Sequence, residues 1–121
     1  MESSYGGIIP FFGTNDLEAT SEFYEGLLGL SLFKDQGNCR IYQVRPGAHV
    51  GFCTHLEVVQ GKRSPIITLL TESVDKVYHK IRTEKQYPIE EERIVNAKYN
   101  IYHFFVKDPN GYLVEIQKFL D

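Results

Sequence analysis

Chemistry in this chain falls to a few side chains, and the most informative is Glu115. It stands between Val114 and Ile116, and an ionised carboxylate in such a run needs a partner or water where the sheet buries it. Strand side chains alternate, so Val114 and Ile116 point one way and Glu115 the other. The Glu115 face is then solvent, a structural ion pair, or a ligand pocket. In a pocket the carboxylate would hold a cationic or hydroxyl-bearing molecule, or act as a general base. His103 lies on the preceding apolar run and reads as a histidine hydrogen-bonded at the sheet surface. His49 stands beside a turn, His55 in a connecting loop and His79 on the polar side of a helix. None is spaced i, i+4 from another histidine or acid, as a metalloprotease helix requires. Cys53 reads as a small apolar strand residue, because nothing nearby in sequence would lower its thiol pKa.

Glu115 is positioned by what precedes it. Two apolar runs flank Asp108-Pro109-Asn110-Gly111, where Pro109 presets φ, Asp108 can accept from the backbone ahead and Gly111 accepts positive φ. The runs read as an antiparallel hairpin. Symmetric pairing about the turn puts Tyr102, Phe104, Val106, Leu113 and Gln117 on the Glu115 face.

The 121 residues make one domain, large enough to bury a core. A net charge of −3 gives no electrostatic case for nucleic acid or an anionic membrane. No apolar run approaches the roughly 20 residues of a membrane span. The opening Met-Glu-Ser-Ser-Tyr-Gly-Gly lacks the basic and apolar regions of a signal peptide. Cys39 and Cys53 make no disulfide framework, so a reduced cytoplasmic protein is the default expectation. Neighbouring strands would still bring the two within bonding reach.

Ile8 to Gly13 reads as a buried strand, with Pro10 marking an edge or bulge. A helix follows: Asn15 can cap it, Glu18 stands three residues on, Leu17, Phe23, Tyr24, Leu27 and Leu28 form its apolar stripe, and Gly29 closes it. Strands are expected at Leu30–Lys34, Arg40–Val44 and His49–Thr54, and a polar connection at His55–Arg63. The second half repeats the order: a strand over Ser64–Thr71, a helix capped by Ser73 with Val74, Val77, Tyr78 and Ile81 on one face, a strand over Ile89–Val95, then the hairpin.

Strand, Asp-Pro-x-Gly, then a strand with Glu seven residues past the Asp resembles the last hairpin of the vicinal-oxygen-chelate superfamily (glyoxalase I, bleomycin and fosfomycin resistance proteins, extradiol dioxygenases). Thr14-Asn15-Asp16-Leu17 through Phe23-Tyr24-Glu25-Gly26-Leu27-Leu28-Gly29-Leu30 resembles its second signature. The resemblance implies an α+β fold of two βαβββ modules, about residues 7–55 and 64–119, whose curved mixed sheet surrounds a cleft with helices on the outer face. In metal-using members four ligands come from equivalent strand positions, and these fall at Ile9, Phe52, Ile66 and Glu115. Only Glu115 carries a donor, so the expectation is a site with no metal and no other cofactor.

The cavity face is expected to carry Phe11, Phe52, Thr68, Tyr102, Phe104, Glu115 and Gln117 as ligand-binding residues, with Ile9 and Ile66 beside them. Such a pocket suits a small organic ligand. The leading reading is therefore a small-molecule binding protein similar to the bleomycin resistance proteins, with Glu115 the residue that would be catalytic if any is. The alternative is a superfamily enzyme, lyase, isomerase or dioxygenase-like, using Glu115 as general base or metal ligand. Open sheet edges and the resemblance both point to a homodimer.

Overall fold

The computed structural model describes residues 3–121, so the first two residues of the acidic opening stretch lie outside it. It contains two four-stranded mixed sheets in two compact units, one up to Val59 and the other Gln60–Asp121, each with the order βαβββ. The element order is the expected one, but the first strand covers only Phe11–Gly13 and leaves Ile8 and Phe11 exposed, where a buried strand from Ile8 was expected.

In the first unit, β1 (Phe11–Gly13) is followed by helix α1 (Leu17–Ser21), which runs on into a π-helical segment over Glu22–Leu27. Strands β2 (Ser31–Asp35), β3 (Cys39–Arg45) and β4 (Ala48–Cys53) complete the sheet in the order β1-β4-β3-β2, with β1 parallel to β4 and on the edge. The helix cap is Asp16 rather than Asn15: its carboxylate accepts from the Ala19 N–H at 2.9 Å, while Asp16 itself stays extended. The π turn, with Leu28 N donating to Phe23 O at 2.9 Å, departs from the regular helix the stripe predicts. Consecutive Phe23 and Tyr24 are both fully buried there.

In the second unit, β5 (Ile66–Leu70) leads into α2 (Val74–Glu84), then β6 (Ile89–Asn96), β7 (Ile101–Lys107) and β8 (Leu113–Phe119), ordered β5-β8-β7-β6. Helix α2 covers one face: Val74, Tyr78 and Ile81 are buried, the Tyr78 ring meets Phe104 edge-on at 5.3 Å, and the Tyr102 hydroxyl donates to Asp75. The hairpin turn is built by Asp108, whose Oδ1 accepts from Asn110 N at 2.8 Å and Tyr112 N at 2.9 Å, with Gly111 at φ 87°. No helix among the described residues is long and apolar enough to cross a membrane.

The two cysteines are bonded to each other, against the default of free thiols. They stand directly opposite on β3 and β4 with Cα atoms 4.1 Å apart. The Cys39 carbonyl accepts from Gln36 N and the Cys53 carbonyl from Thr14 N, so the two do not bond each other's backbone and occupy the close kind of cross-strand pair.

Candidate functional site

Register decides which side chains surround Glu115. The loop between β7 and β8 comprises residues 108–112, because Asp108 N donates to the Tyr112 carbonyl at 2.9 Å and Tyr112 belongs to the turn. The odd count pairs Glu115 with Phe105 and Gln117 with His103. Phe104, Tyr102 and Val106 therefore lie on the opposite face, under α2, where Phe104 is fully buried. The expected four-residue turn put them beside Glu115, and one residue of slip exchanges the faces of an entire strand. Leu113, Gln117, Thr68 and Ile66 do share the Glu115 face.

That face reads as rows across the sheet. One row runs Thr68, Glu115, Phe105, Glu91; the next runs Leu70, Gln117, His103, Ile94. Glu115 is buried and is the hub. Its Oε1 accepts from the Thr68 hydroxyl at 2.7 Å, and its Oε2 accepts from His103 Nδ1 at 2.6 Å and Gln117 Nε2 at 2.7 Å. Burial pushes the Glu115 carboxyl up, but the hydrogen bonds from Thr68, His103 and Gln117 outweigh it and hold the group below the usual carboxylate range. As an ionised carboxylate it only accepts, so His103 Nδ1 carries the shared proton and Nε2 is left as the basic nitrogen.

The sign of the pH dependence follows. A carboxyl lowered on folding stabilises the fold above its unfolded pKa of about 4.3, and that contribution is lost as pH falls through the folded value. Below about pH 4.3 the wild type should lose stability more steeply than Glu115→Gln, as read from denaturant midpoints at each pH. Parallel curves would show that the site adds nothing to acid sensitivity.

The surroundings of this hub are apolar. Ile66, Leu70 and Ile94 are 41%, 59% and 60% exposed on the same face, surface hydrophobics on either side of the Glu115 network. The Phe105 ring meets His103 edge-on at 5.3 Å, and the Arg63 guanidinium, paired with Glu91, lies 5.1 Å over it. A surface notch of about 400 Å³ between α2 and β6 holds none of these residues. Its Arg82 and Glu92 face each other at 3.7 Å, so it offers no comparable chemistry.

The first unit has a different character at the corresponding strands. Phe11 pairs with Gly51, and a Cβ on Gly51 would meet the Phe11 ring at 2.5 Å, so the ring occupies the space a side chain there would need. Phe52 is on the other face, fully buried, with Tyr24 at 4.6 Å and Phe12 at 5.9 Å between ring centres. It is a helix-side core residue, and the position on the Phe11 face is Gly51. The correction leaves the donor count unchanged: neither Phe11 nor Gly51 offers a side-chain ligand, nor does Ile9 or Ile66.

These features carry a family. The Glyoxalase/Bleomycin resistance protein/Dioxygenase superfamily matches over residues 10–116. The chain belongs to this superfamily. Solved structures agree on the fold. An integron cassette protein from the mobile metagenome of the Halifax Harbour sewage outfall is 16% identical, with a TM-score of 0.77 over 93% of this chain and 97% of that one. A superfamily protein from Alicyclobacillus acidocaldarius is 16% identical, with a TM-score of 0.76 over 100% and 96%. A virulence protein from Salmonella typhimurium is 20% identical, with a TM-score of 0.73 over 98% and 99%. At these identities the likeness is one of fold. No curated protein matches the chain.

The metal that many superfamily members use does not fit these residues. Both oxygens of Glu115 are engaged by donors of its own sheet, and the corresponding first-unit positions, Phe11 and Gly51, are apolar. A divalent ion usually takes at least three protein donors. The sequence offers His103 as a hydrogen-bonded strand histidine and gives no sign of Phe105, whose face depends on the parity of the turn.

Proposed function

We propose that the chain binds a small organic molecule without a metal, on the β5–β8–β7–β6 face that α2 leaves uncovered. The observation that carries this reading is the pair of buried Glu115 and part-buried His103 set among exposed Ile66, Leu70 and Ile94. A buried charge network beside surface hydrophobics is what ligand sites use: apolar area for affinity, a few fixed polar groups for orientation. Glu115 fixes the tautomer of His103, and Nε2 is the group that meets the ligand. A carboxylate has about four lone-pair positions, and three are taken, leaving one on Oε1 for a hydroxyl or a cation. The ligand class is therefore a compact molecule with an apolar body and a hydroxyl or cationic group. Native mass spectrometry of the gently purified protein identifies such a ligand, and calorimetry measures it. His103→Ala should weaken it by about 1.5–3 kcal/mol, the worth of a charge-assisted hydrogen bond. Unchanged affinity would place the ligand elsewhere.

A second reading has its own observation. A carboxylate holding Nδ1–H is how a histidine is made into a general base at Nε2. Glu115 itself is unsuited to that task, being lowered in pKa and engaged on both oxygens. Turnover of the identified ligand, lost in His103→Ala and retained in Thr68→Val, would move the protein from binder to enzyme.

The proposal includes a homodimer and a cytoplasmic location. Strand β6 is a free sheet edge that carries exposed Val95, and open edges are usually paired or covered, which supports self-association. Sedimentation at tens of micromolar should return twice the chain mass; a single-chain mass would remove the dimer.

A further inference from the structure

The second chemical cluster in the molecule lies in the first unit and has no part in the site above. Cys39 and Cys53 are 5% and 1% exposed, and His55, just past β4, places Nδ1 3.9 Å from the Cys39 sulfur. The two sulfurs and a His55 ring nitrogen lie within 4.8 Å of one another, and among the described residues this is the one group of three histidine, cysteine or acidic side chains so placed. The Asn38 side-chain amide meets His55 Nδ1 at 3.0 Å. An amide NH₂ only donates, so Nδ1 accepts from Asn38, and on metal binding this one lone pair would pass from the amide to the ion beside the Cys39 sulfur.

We propose that Cys39, Cys53 and His55 form a redox-gated metal site, closed as a disulfide and, once reduced, taking a thiophilic divalent cation such as zinc. The donor set is two soft sulfurs and one imidazole, the set that selects zinc over hard cations. Zinc–sulfur bonds of about 2.3 Å and zinc–nitrogen bonds of about 2.0 Å in a tetrahedron set a sulfur–nitrogen separation of about 3.5 Å and a sulfur–sulfur separation of about 3.8 Å. The Cys39 sulfur and His55 Nδ1 already stand near that spacing. The sulfurs need only part from bonding contact on facing strands. Exposed His55 provides the way in, Asn38 gives up its hydrogen bond to Nδ1 as the metal enters, and a fourth position stays open to water.

The chemistry balances with a dithiol reductant. A reductant thiolate attacks one cysteine sulfur, the S–S bond breaks and its electron pair leaves on the other cysteine. The second reductant thiol then attacks the mixed disulfide and releases the first cysteine. The reductant ends as a cyclic disulfide and both cysteines as thiols. On metal entry each thiol gives its proton to solvent, and two thiolates cancel the charge of one divalent ion. A small-molecule disulfide reverses the exchange: it takes the two electrons and leaves as two thiols, the cysteines return to the S–S bond, and the metal is released because a disulfide is no ligand.

The test uses the full chain and cobalt(II) alone, a spectroscopic stand-in for zinc. Protein reduced with a water-soluble phosphine, which becomes the phosphine oxide, should show thiolate-to-cobalt charge-transfer absorption saturating at one equivalent and abolished by zinc. The oxidised protein should show none. His55→Ala, a surface change that leaves both cysteines and the sheet in place, should weaken cobalt roughly tenfold or more, as loss of one of three protein donors demands. Iodoacetamide treatment of the reduced wild type should abolish binding without any substitution, and circular dichroism checks that the reduced chain is folded. A reduced, folded protein without the charge-transfer band would overturn the proposal, as would the same band in the oxidised protein or a His55→Ala titration superimposable on wild type.

Discussion

Replacing Glu115 with alanine should destabilise the fold by about 3 kcal/mol, and a melting curve should move down by about 10 °C. Three donors point at this one carboxylate, and two of them, His103 Nδ1 and Gln117 Nε2, are on side chains with little access to water. Alanine leaves those two without an acceptor, and each unsatisfied buried group costs about 1–3 kcal/mol. The total sits at the low end of the 3–5 kcal/mol seen when a buried pair is broken, because exposed Thr68 can turn its hydroxyl to water. Glu115→Gln should cost only about 1 kcal/mol. Its oxygen still accepts from Thr68, while His103 can change tautomer and Gln117 can flip its amide to meet the new NH₂. The order is the discriminating result: alanine far below glutamine, glutamine slightly below wild type. Equal melting points for all three would show that Glu115 is solvated and no hub.

Removing the disulfide should be of similar size. Cys39 and Cys53 are 14 residues apart in sequence, and closing a loop of about 15 residues is worth about 3 kcal/mol, chiefly by restricting the unfolded chain. The Cys39→Ala, Cys53→Ala double variant should therefore melt about 10 °C below the oxidised protein. Domain stabilities are about 5–15 kcal/mol, so the reduced chain should remain folded at room temperature. A loss under about 0.5 kcal/mol would mean that the paired strands already impose the constraint without the bond.

Much of the architecture could be read in the residues. Asp108-Pro109-Asn110-Gly111 announced its hairpin, the Val74, Val77, Tyr78, Ile81 stripe announced α2, and the repeated element order announced two modules, while Ser73 stands at the start of α2 without a side-chain cap bond. Local signals of this kind carry their own physical cause, a cap or a turn, and need no distant partner. The faces were harder. Whether Tyr112 ends a turn or begins a strand is one residue of difference, decided by the Asp108 N to Tyr112 O bond, and it moved Phe104 and Tyr102 away from Glu115 while bringing in His103 and Phe105. Phe52 for Gly51 is the same parity error in the first module.

Of the contacts between distant residues, the resemblance put Thr68 on the Glu115 face, and nothing put His55 beside Cys39. Thr68 and Glu115 are 47 residues apart, and Cys39 and His55 are 16 apart. Only the parallel pairing of β5 with β8, and the antiparallel pairing of β3 with β4, brings them together. The absence of donors at Ile9 and Ile66, by contrast, is a property of residue type and survives any correction of register.

A metal-independent ligand site at Glu115 and His103 is open to chemical-shift mapping. Isotope-labelled protein, oxidised and held in a strong chelator, is titrated with a small-molecule library rich in hydroxyl and amine groups on apolar cores. The predicted result is a set of binders that shift Thr68, His103, Phe105, Glu115 and Gln117 together, with unchanged affinity in the chelator. Binding that vanishes in the chelator and returns with a divalent ion, and does so only while Glu115 is intact, would contradict it.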